Sequence, residues 1–209
     1  MKEHGLIFKG QLIPALLDGS KKLTRRLPKS RPKRMDGGSW YWKHKSLEAG
    51  YCHTSKSRMM GFMLEHGEYQ IGDLIWVRET TQVLYVGDIA VPTYSVDGAW
   101  VPKKDRWETA EWWYSKPKCP SIHMPRWASR IILEITDIRV ERLHDISEKD
   151  AIAEGVERVG NDTAWKDYLR PGVYLAHAVD SYISLWNSLY GNWDENPWVY
   201  VIEFKKVDE

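Results

Sequence analysis

Three short segments of the chain carry the residue types that could do chemistry: residues 19–26, 72–79 and 145–155. The first contains Lys21 and Thr24, and a threonine hydroxyl becomes a useful nucleophile only when a nearby base takes its proton. A lysine amine can be that base when burial or cationic neighbours lower its pKa. The same basic segment could equally grip a phosphate, so both interpretations stay open at this stage.

Glu154 lies at the end of the third segment. Ser147 is predicted to begin a short helix by capping the Asp150 N–H, with the Asp150 carboxylate reaching back to it, and Gly155 is predicted to end the helix. A helix C-terminus disfavours negative charge, which suits a group that hands a proton to a leaving amine. Simple pairing with Lys21 and an isolated surface carboxylate are the alternatives.

Two arginines are candidates for contacting a phosphate, a sugar or a base edge. Arg26 follows the Lys-Thr segment, and Arg78 closes the apolar run that begins at Leu74. Pairing of Arg78 with Glu79 or another carboxylate is the structural alternative. A loop over residues 120–130 could add further pocket-lining side chains, namely His123, Arg126 and Trp127.

Four residues are possible zinc ligands: Cys52, His53, Cys119 and His123. Neither pair has the spacing that is usual for a structural zinc site, and two isolated cysteines are more often plain thiols. The sequence therefore predicts no metal and no cofactor.

The composition narrows the class of protein. The chain has 209 residues, of which 43% are hydrophobic and 28% are charged, which is enough for a sizeable core. Two cysteines argue for a reducing compartment, and no apolar run approaches the roughly 20 residues that span a bilayer. We see no secretory signal at the N-terminus and expect a cytoplasmic protein without a membrane partner.

The formal net charge is only +1, so attraction for phosphates must come from local patches. Basic residues crowd one early stretch: Lys21, Lys22, Arg25, Arg26, Lys29, Arg31, Lys33 and Arg34. Aromatic residues 40–42 follow, with Lys43 and Lys45 behind them. Positive charge beside flat rings favours single-stranded nucleic acid. We predict that residues 29–45 add affinity for nucleic acid or form a lid, with a solvated loop as the alternative.

The elements that must position these residues mix strands and helices. Strands are predicted near residues 6–8, 74–79, 82–86, 130–140 and 198–204, and helices near 12–19, 147–155 and 176–190. Residues 27–70 and 88–128 show no clear period and are interpreted as two irregular insertions. Without regular βαβ alternation, the pattern predicts a single α+β domain over residues 1–209, with a small β-barrel and a few flanking helices.

The order of the motifs resembles the ASCH family of the PUA-like superfamily. Residues 19–26 match a G-x-K-x-x-T-x-R element, and residues 72–78 match a G-D-x-(apolar)-x-V-R strand. A short capped helix over residues 145–155 follows a long strand, and the terminal strand over residues 199–204 resembles the closing V-I-E-F segment of the family. The resemblance covers most of the chain except the two insertions, which the smallest family members lack. It implies a PUA-like β-barrel.

Within that family, small bacterial N4-acetylcytidine amidohydrolases use a lysine, a threonine and a glutamate. By position these fall on Lys21, Thr24 and Glu154. The resemblance therefore implies removal of an N4-acyl group from a nucleoside or modified base. A non-catalytic module that binds RNA or a modified base, and an ASCH ribonuclease, are the alternatives.

Overall fold

A computed structural model describes residues 1–43, 50–103, 110–160 and 163–207. The strands are β1 (Glu3–Ile7), β2 (Leu23–Arg26), β3 (Lys33–Arg34), β4 (Trp40–Trp42), β5 (Tyr51–His53), β6 (Leu74–Arg78), β7 (Thr81–Val86), β8 (Ile89–Tyr94), β9 (Lys118–Cys119), β10 (Ile132–Arg142), β11 (Arg158–Val159), β12 (Ala164–Lys166), β13 (Tyr174–Leu175) and β14 (Trp198–Lys206). The α-helices are α1 (Ile13–Leu17), α2 (Lys56–His66), α3 (Glu148–Ala153) and α4 (Ala178–Leu189).

The predicted α+β class is confirmed. A five-stranded mixed sheet has the strand order β1-β6-β10-β14-β2, and three small sheets have the orders β3-β4-β5, β8-β7-β9 and β11-β12-β13. Over the residues described, β1 and β2 are the two ends of the large sheet and no closed barrel is formed. The barrel thus stays a prediction.

The chain packs into two compact units. The first comprises Met1–Ser20, Asp73–Glu134 and Lys205–Glu209, and the second comprises Lys21–Gly72 and Ile135–Phe204. The prediction of one domain over residues 1–209 stays a prediction.

In the first unit, β1 runs parallel to β6, and residues 132–134 of β10 pair antiparallel with β6. A buried salt-bridge cluster centres on Arg130. Its guanidinium binds both Glu79 oxygens at 2.7 and 2.9 Å and Asp97 at 2.7 Å, and it lies 3.9 Å from the centroid of the Tyr94 ring. Because Glu79 is almost fully buried, this bidentate partner compensates the cost of burying its charge.

In the second unit, β14 pairs antiparallel with β2, placing Thr24 opposite Ile202. The two helices α3 and α4 pack together, and the Glu148 carboxylate accepts hydrogen bonds from the Ala178 and Val179 N–H groups at 2.9 and 3.3 Å. A carboxylate at the start of α4 satisfies N–H groups that the helix leaves open and is favoured by its dipole.

The prediction of irregular insertions is wrong where the structure has regular elements. Residues 27–70 contain β3, β4, β5 and α2, and residues 88–128 contain β8. In α2 only Met59 and Met63 are buried, so the helical period was too weak to detect. Pro92 argued against a strand, yet it lies within β8, which joins β7 through a turn with Gly87 at φ +62°.

The described helices include none with the length and apolar character needed to cross a membrane.

Two glycine-to-alanine changes should shift stability in opposite directions. A Cβ on Gly5 would lie 2.5 and 2.7 Å from ring atoms of Trp76, its partner across β1 and β6. We expect Gly5→Ala to lower the free energy of unfolding by about 1–3 kcal/mol through overpacking. A Cβ on Gly61, within α2, would have nothing within 4 Å, so Gly61→Ala should raise it by roughly 0.5–1 kcal/mol. Urea denaturation measures both, and equal stability of Gly5→Ala and wild type would contradict the close packing.

Candidate functional site

The Lys21 ammonium group lies in the interior of the second unit, and the residue is 2% exposed. Its Nζ donates to the Leu23 carbonyl at 2.9 Å, to the Glu154 carbonyl at 2.5 Å and to the Glu154 carboxylate at 2.7 Å. An ammonium group has three donors, so these acceptors can use all of them. Glu154 is 3% exposed, and the two residues form a buried ion pair.

The position of β2 at the edge of the sheet explains this arrangement. Along a strand, the backbone hydrogen-bonding groups of successive residues point to opposite sides. Pairing with β14 therefore leaves the Leu23 carbonyl and the Arg25 N–H directed away from the sheet. The Leu23 carbonyl accepts from Lys21, and the Arg25 N–H donates to Glu154 Oε1 at 2.7 Å. The side-chain pair thus takes the place of a neighbouring strand.

Helix α3 brings Glu154 to this edge. Gly155, at φ +79°, ends the helix as predicted, because a glycine adopts this left-handed conformation without steric cost. The Lys22 N–H donates to the Ala153 carbonyl at 2.8 Å. The C-terminus of α3 is therefore joined to the segment that enters β2, and it presents both a carbonyl and a carboxylate to the Lys21 ammonium.

The predicted start of α3 is confirmed only in part. Ser147 Oγ accepts a hydrogen bond from the Asp150 N–H at 3.1 Å. The Asp150 carboxylate, however, was predicted to reach back to the helix start, and it instead accepts hydrogen bonds at 2.7 Å from both Arg25 and Arg139. Two guanidinium groups are stronger partners for a partly buried carboxylate than one backbone N–H.

Arg25 connects the pair to a wider charge network. Its guanidinium is fully buried and contacts Asp150 at 2.7 Å, Glu141 at 3.3 Å and Glu154 at 3.6 Å. Arg139 binds Glu141 at 2.5 Å and Asp150 at 2.7 Å. Burial alone would raise the pKa of Asp150, but the two arginines outweigh it and hold that pKa below its usual value.

A tyrosine from α4 completes the surroundings of Glu154. Tyr182 is almost fully buried, and its ring centroid lies 5.9 Å from the Arg25 guanidinium. Burial and the negative charge of Glu154 raise the pKa of Tyr182 well above 10. The phenol is therefore neutral at physiological pH.

Burial lowers the pKa of Lys21 below its usual value, and this effect outweighs the neighbouring Glu154 charge, which raises it. The positive charges of Arg26 and Arg25 lower the pKa further. Both the burial and the cationic neighbours were named from the sequence as causes of such a shift. A lysine of this kind can reach the neutral amine form at a lower pH than an exposed one.

Thr24 lies in β2, three residues from Lys21, and is 4% exposed. Its hydroxyl makes no hydrogen bond to any residue that the structure describes. The structure thus brings Lys21 and Glu154 into direct contact and places Thr24 on the strand whose edge they cover.

The predicted substrate-binding arginines have different surroundings. Arg26 follows Arg25 in β2, opposite Tyr200. Arg78 donates to the Ile122 carbonyl, and its guanidinium lies 5.0 Å from the Trp76 ring, whereas the partner of Glu79 is Arg130.

The three predicted residues of the 120–130 loop lie in the first unit. His123 stacks on Tyr114 with ring centroids 5.5 Å apart, and Arg126 binds Glu3 through two hydrogen bonds of 2.8 and 3.0 Å. Trp127 is 47% exposed.

The candidate zinc ligands have other partners. His53 Nδ1 accepts from the Ser55 N–H at 2.8 Å, Cys52 is exposed, and Cys119 is buried. Within the described parts of the chain, no three His, Cys, Asp or Glu side chains come together in a metal-binding group.

The basic and aromatic segment over residues 29–45 has an exposed part and a buried part. Lys33 and Arg34 in β3 are exposed, whereas Trp42 is buried and donates to the Ser30 carbonyl at 2.7 Å. Trp42 is therefore not available for stacking on a base. Lys45 and the other residues of 44–49 lie outside the described residues.

The sequence pattern of α4 does not reveal Tyr182. Apolar spacing in the sequence predicts a buried stripe of Val179, Ile183, Trp186 and Tyr190, and of these only Trp186 is buried. The buried residues are Ala178, Ser181, Tyr182, Ser184, Leu185 and Trp186. The i, i+3 and i+4 spacing of the last five was the signal, but two serines in it hid the pattern. Their hydroxyls are satisfied by backbone carbonyls, Ser181 by Lys166 and Ser184 by Ser181.

Comparisons with known proteins yield no match: no family model, no curated protein and no solved structure is significantly similar to this chain.

Removal of one partner of the buried pair should be costly. Lys21→Met takes away the nearest charge partner of the Glu154 carboxylate and leaves it the Arg25 guanidinium at 3.6 Å, and we expect the free energy of unfolding to fall by about 3–5 kcal/mol. Adding Glu154→Gln removes that charge and should restore part of the loss, so the double variant should be more stable than the sum of the two single losses predicts. The exposed neighbour substitution Lys22→Met is the matched control. Strictly additive losses in urea denaturation would contradict the coupling.

The ion pairs of Asp150 should make the free energy of unfolding depend on pH in the acidic range. Because the pKa of Asp150 is lowered in the folded protein, its contribution is complete above the unfolded pKa of about 3.9 and is lost as pH falls through the folded value. The stability difference between wild type and Asp150→Asn should therefore narrow as the pH is lowered from 6 towards about 3. Denaturation curves at several pH values test this, with Asp137→Asn on the exposed part of β10 as control. A difference independent of pH would contradict the assignment.

Proposed function

We propose that this protein is an ASCH-type amidohydrolase with a PUA-like barrel, and that it removes the N4-acyl group from N4-acetylcytidine-type nucleosides or bases. The observation that carries the proposal is the buried contact between Lys21 and Glu154 at 2.7 Å, beside the strand that holds Thr24. These residues are separated by more than a hundred positions in the chain. A shared catalytic role requires the two side chains to be in contact. The same contact also has a structural role, because it covers the edge of β2.

In the proposed reaction, the Thr24 hydroxyl attacks the acyl carbon and Lys21 takes its proton. The lowered pKa of Lys21 supports this role, since a base must be neutral before it can accept a proton. Transfer of a lysine proton to Glu154 within the pair would supply the neutral amine. The C–N bond then breaks, the proton returns to the leaving amine of the base, and the acyl group remains on Thr24 as an ester.

Water completes the cycle by attacking the ester, and its proton passes to the neutral Lys21 amine. Lys21 gives that proton to the departing Thr24 oxygen, which restores the hydroxyl and releases the carboxylic acid, and Glu154 then returns its proton to Lys21. The overall reaction consumes one water and yields a carboxylic acid and the free amine, so it requires no redox partner or group acceptor. The Arg25 N–H holds the Glu154 carboxylate in place through the hydrogen bond described above.

Two other functions remain candidates for the same residues: binding of RNA or a modified base without turnover, and cleavage of RNA. The exposed basic residues Lys33 and Arg34 favour a nucleic-acid partner for either. Incubation of the purified protein with N4-acetylcytidine and, separately, with a short RNA distinguishes the three functions. Release of cytidine supports the hydrolase, cut strands support the ribonuclease, and binding without product supports the binding module.

Thr24→Val gives the sharpest test of the hydrolase. The change keeps the shape of the side chain and removes its only reactive atom, so turnover of N4-acetylcytidine should fall by roughly 10³-fold or more. Substrate affinity should change by only about 1 kcal/mol, the effect of one lost hydrogen bond.

Thr24→Ser is the matched control, because it keeps a hydroxyl and should retain measurable turnover. Lys21→Met should lose activity to a similar extent, and the double variant should be little worse than either single one if the two residues act as a unit. A Thr24→Val protein with near-parental turnover would exclude the nucleophile role and leave direct attack by water, with Glu154 as the base.

A further inference from the structure

The first unit contains an open cleft of about 600 Å³ that the hydrolase proposal does not use. It is lined by Lys103, Ala110, Glu111, Trp112, Trp113 and Trp127. This volume lies within the range of small-molecule sites, roughly 300–1,000 Å³.

The rings of the cleft are held in fixed orientations. Trp113 packs against a buried cluster that includes Tyr94, Met124 and Ala128. Trp112 Nε1 donates to the Lys116 carbonyl at 2.9 Å. The Trp113 and Trp127 centroids are 4.9 Å apart with planes at 77°, and those of Trp112 and Trp113 are 5.0 Å apart at 42°. A ligand would therefore meet aromatic surfaces that need little ordering on binding.

Trp127 is the ring most open to a ligand. It is 47% exposed, although its neighbour Ala128 is buried and its edge-to-face contact with Trp113 fixes it on the wall of the cleft. A large apolar ring held at a cleft mouth loses contact with water when a flat ligand stacks on it. Stacking of a nucleobase on an aromatic side chain is strongly favourable and tolerates any base, because every base has a π-face.

The charged groups at the cleft narrow the class of ligand. Lys103 and Glu111 carry opposite charges at the cleft, and the edge of a nucleobase presents both hydrogen-bond donors and acceptors. Lys116 and Lys118 are exposed on the segment that holds Trp112 and leads into β9, where they can attract phosphates.

We propose that this cleft binds an unpaired base of a single-stranded RNA, with Trp127 as the stacking surface and the neighbouring lysines attracting the backbone. Arg126 does not take part, because its guanidinium is held by Glu3. The site goes beyond the proposed hydrolase function and does not rest on it, because all its residues lie outside the Lys21–Glu154 pair and their binding role needs no turnover.

The test measures binding of a fluorescently labelled 12-nucleotide single-stranded RNA by anisotropy. Trp127→Ala should weaken binding by about 10-fold, within the range of one lost stacking contact, and Trp127→Phe should retain most of the affinity. The matched control is Trp100→Ala, which removes a tryptophan that is 67% exposed and does not line the cleft. Lys103→Ala should reduce the slope of log affinity against log salt by at most about one.

Four results would overturn the proposal: parental affinity in Trp127→Ala, an equal loss in Trp100→Ala, equal affinity for a duplex of the same sequence, or choline displacing the RNA. Displacement by free cytidine at stoichiometric concentration would also overturn it, since a nucleoside rather than a strand would then be the ligand. Near-ultraviolet circular dichroism and thermal melting of each variant show whether a loss of RNA binding comes from unfolding. If Trp127→Ala is unfolded, Trp127→Phe and Lys103→Ala provide the test. If Thr24→Val loses turnover while RNA binding is unchanged, the proposal for the cleft still holds.

Discussion

The second unit depends on one constraint, namely that the free edge of β2 is buried and its backbone groups must still find partners. Unpaired backbone N–H and C=O groups away from water are costly. Here Lys21 satisfies the Leu23 carbonyl and Glu154 satisfies the Arg25 N–H, while the two side chains neutralise each other. A strand edge is thus closed by an ion pair, which also protects it from pairing with another chain.

This solution places charge in the interior, and the rest of the unit compensates for it. Arg25 brings a second positive charge, which Asp150 and Glu141 partner, and Tyr182 adds a neutral phenol near the Glu154 charge. The positions of α3 and α4 follow from the same need, since α3 delivers Glu154 and Asp150 and α4 delivers Tyr182. The first unit handles its buried Glu79 in a simpler way, with one bidentate arginine over a tyrosine ring.

The two candidate sites differ in how much of their binding capacity is already used. The Lys21 ammonium has an acceptor for each of its donors, so its participation in catalysis requires a proton shift within the pair. Burial lowers the pKa of Lys21 and so reduces the cost of that shift. The aromatic cleft, in contrast, presents a half-exposed tryptophan to solvent. It can act by binding alone.

Local patterns in the sequence predict the α+β class, the strands β6, β10 and β14, and the short helix that Gly155 terminates, because periodicity and capping are local properties. The resemblance in motif order also selects Lys21 and Glu154. Three features follow from tertiary contacts instead: Asp150 binds two arginines, Tyr182 lies near the Glu154 charge, and three tryptophans line one cleft. These outcomes depend on contacts between residues far apart in the chain, and no local pattern specifies which distant partner a buried charge or ring will meet.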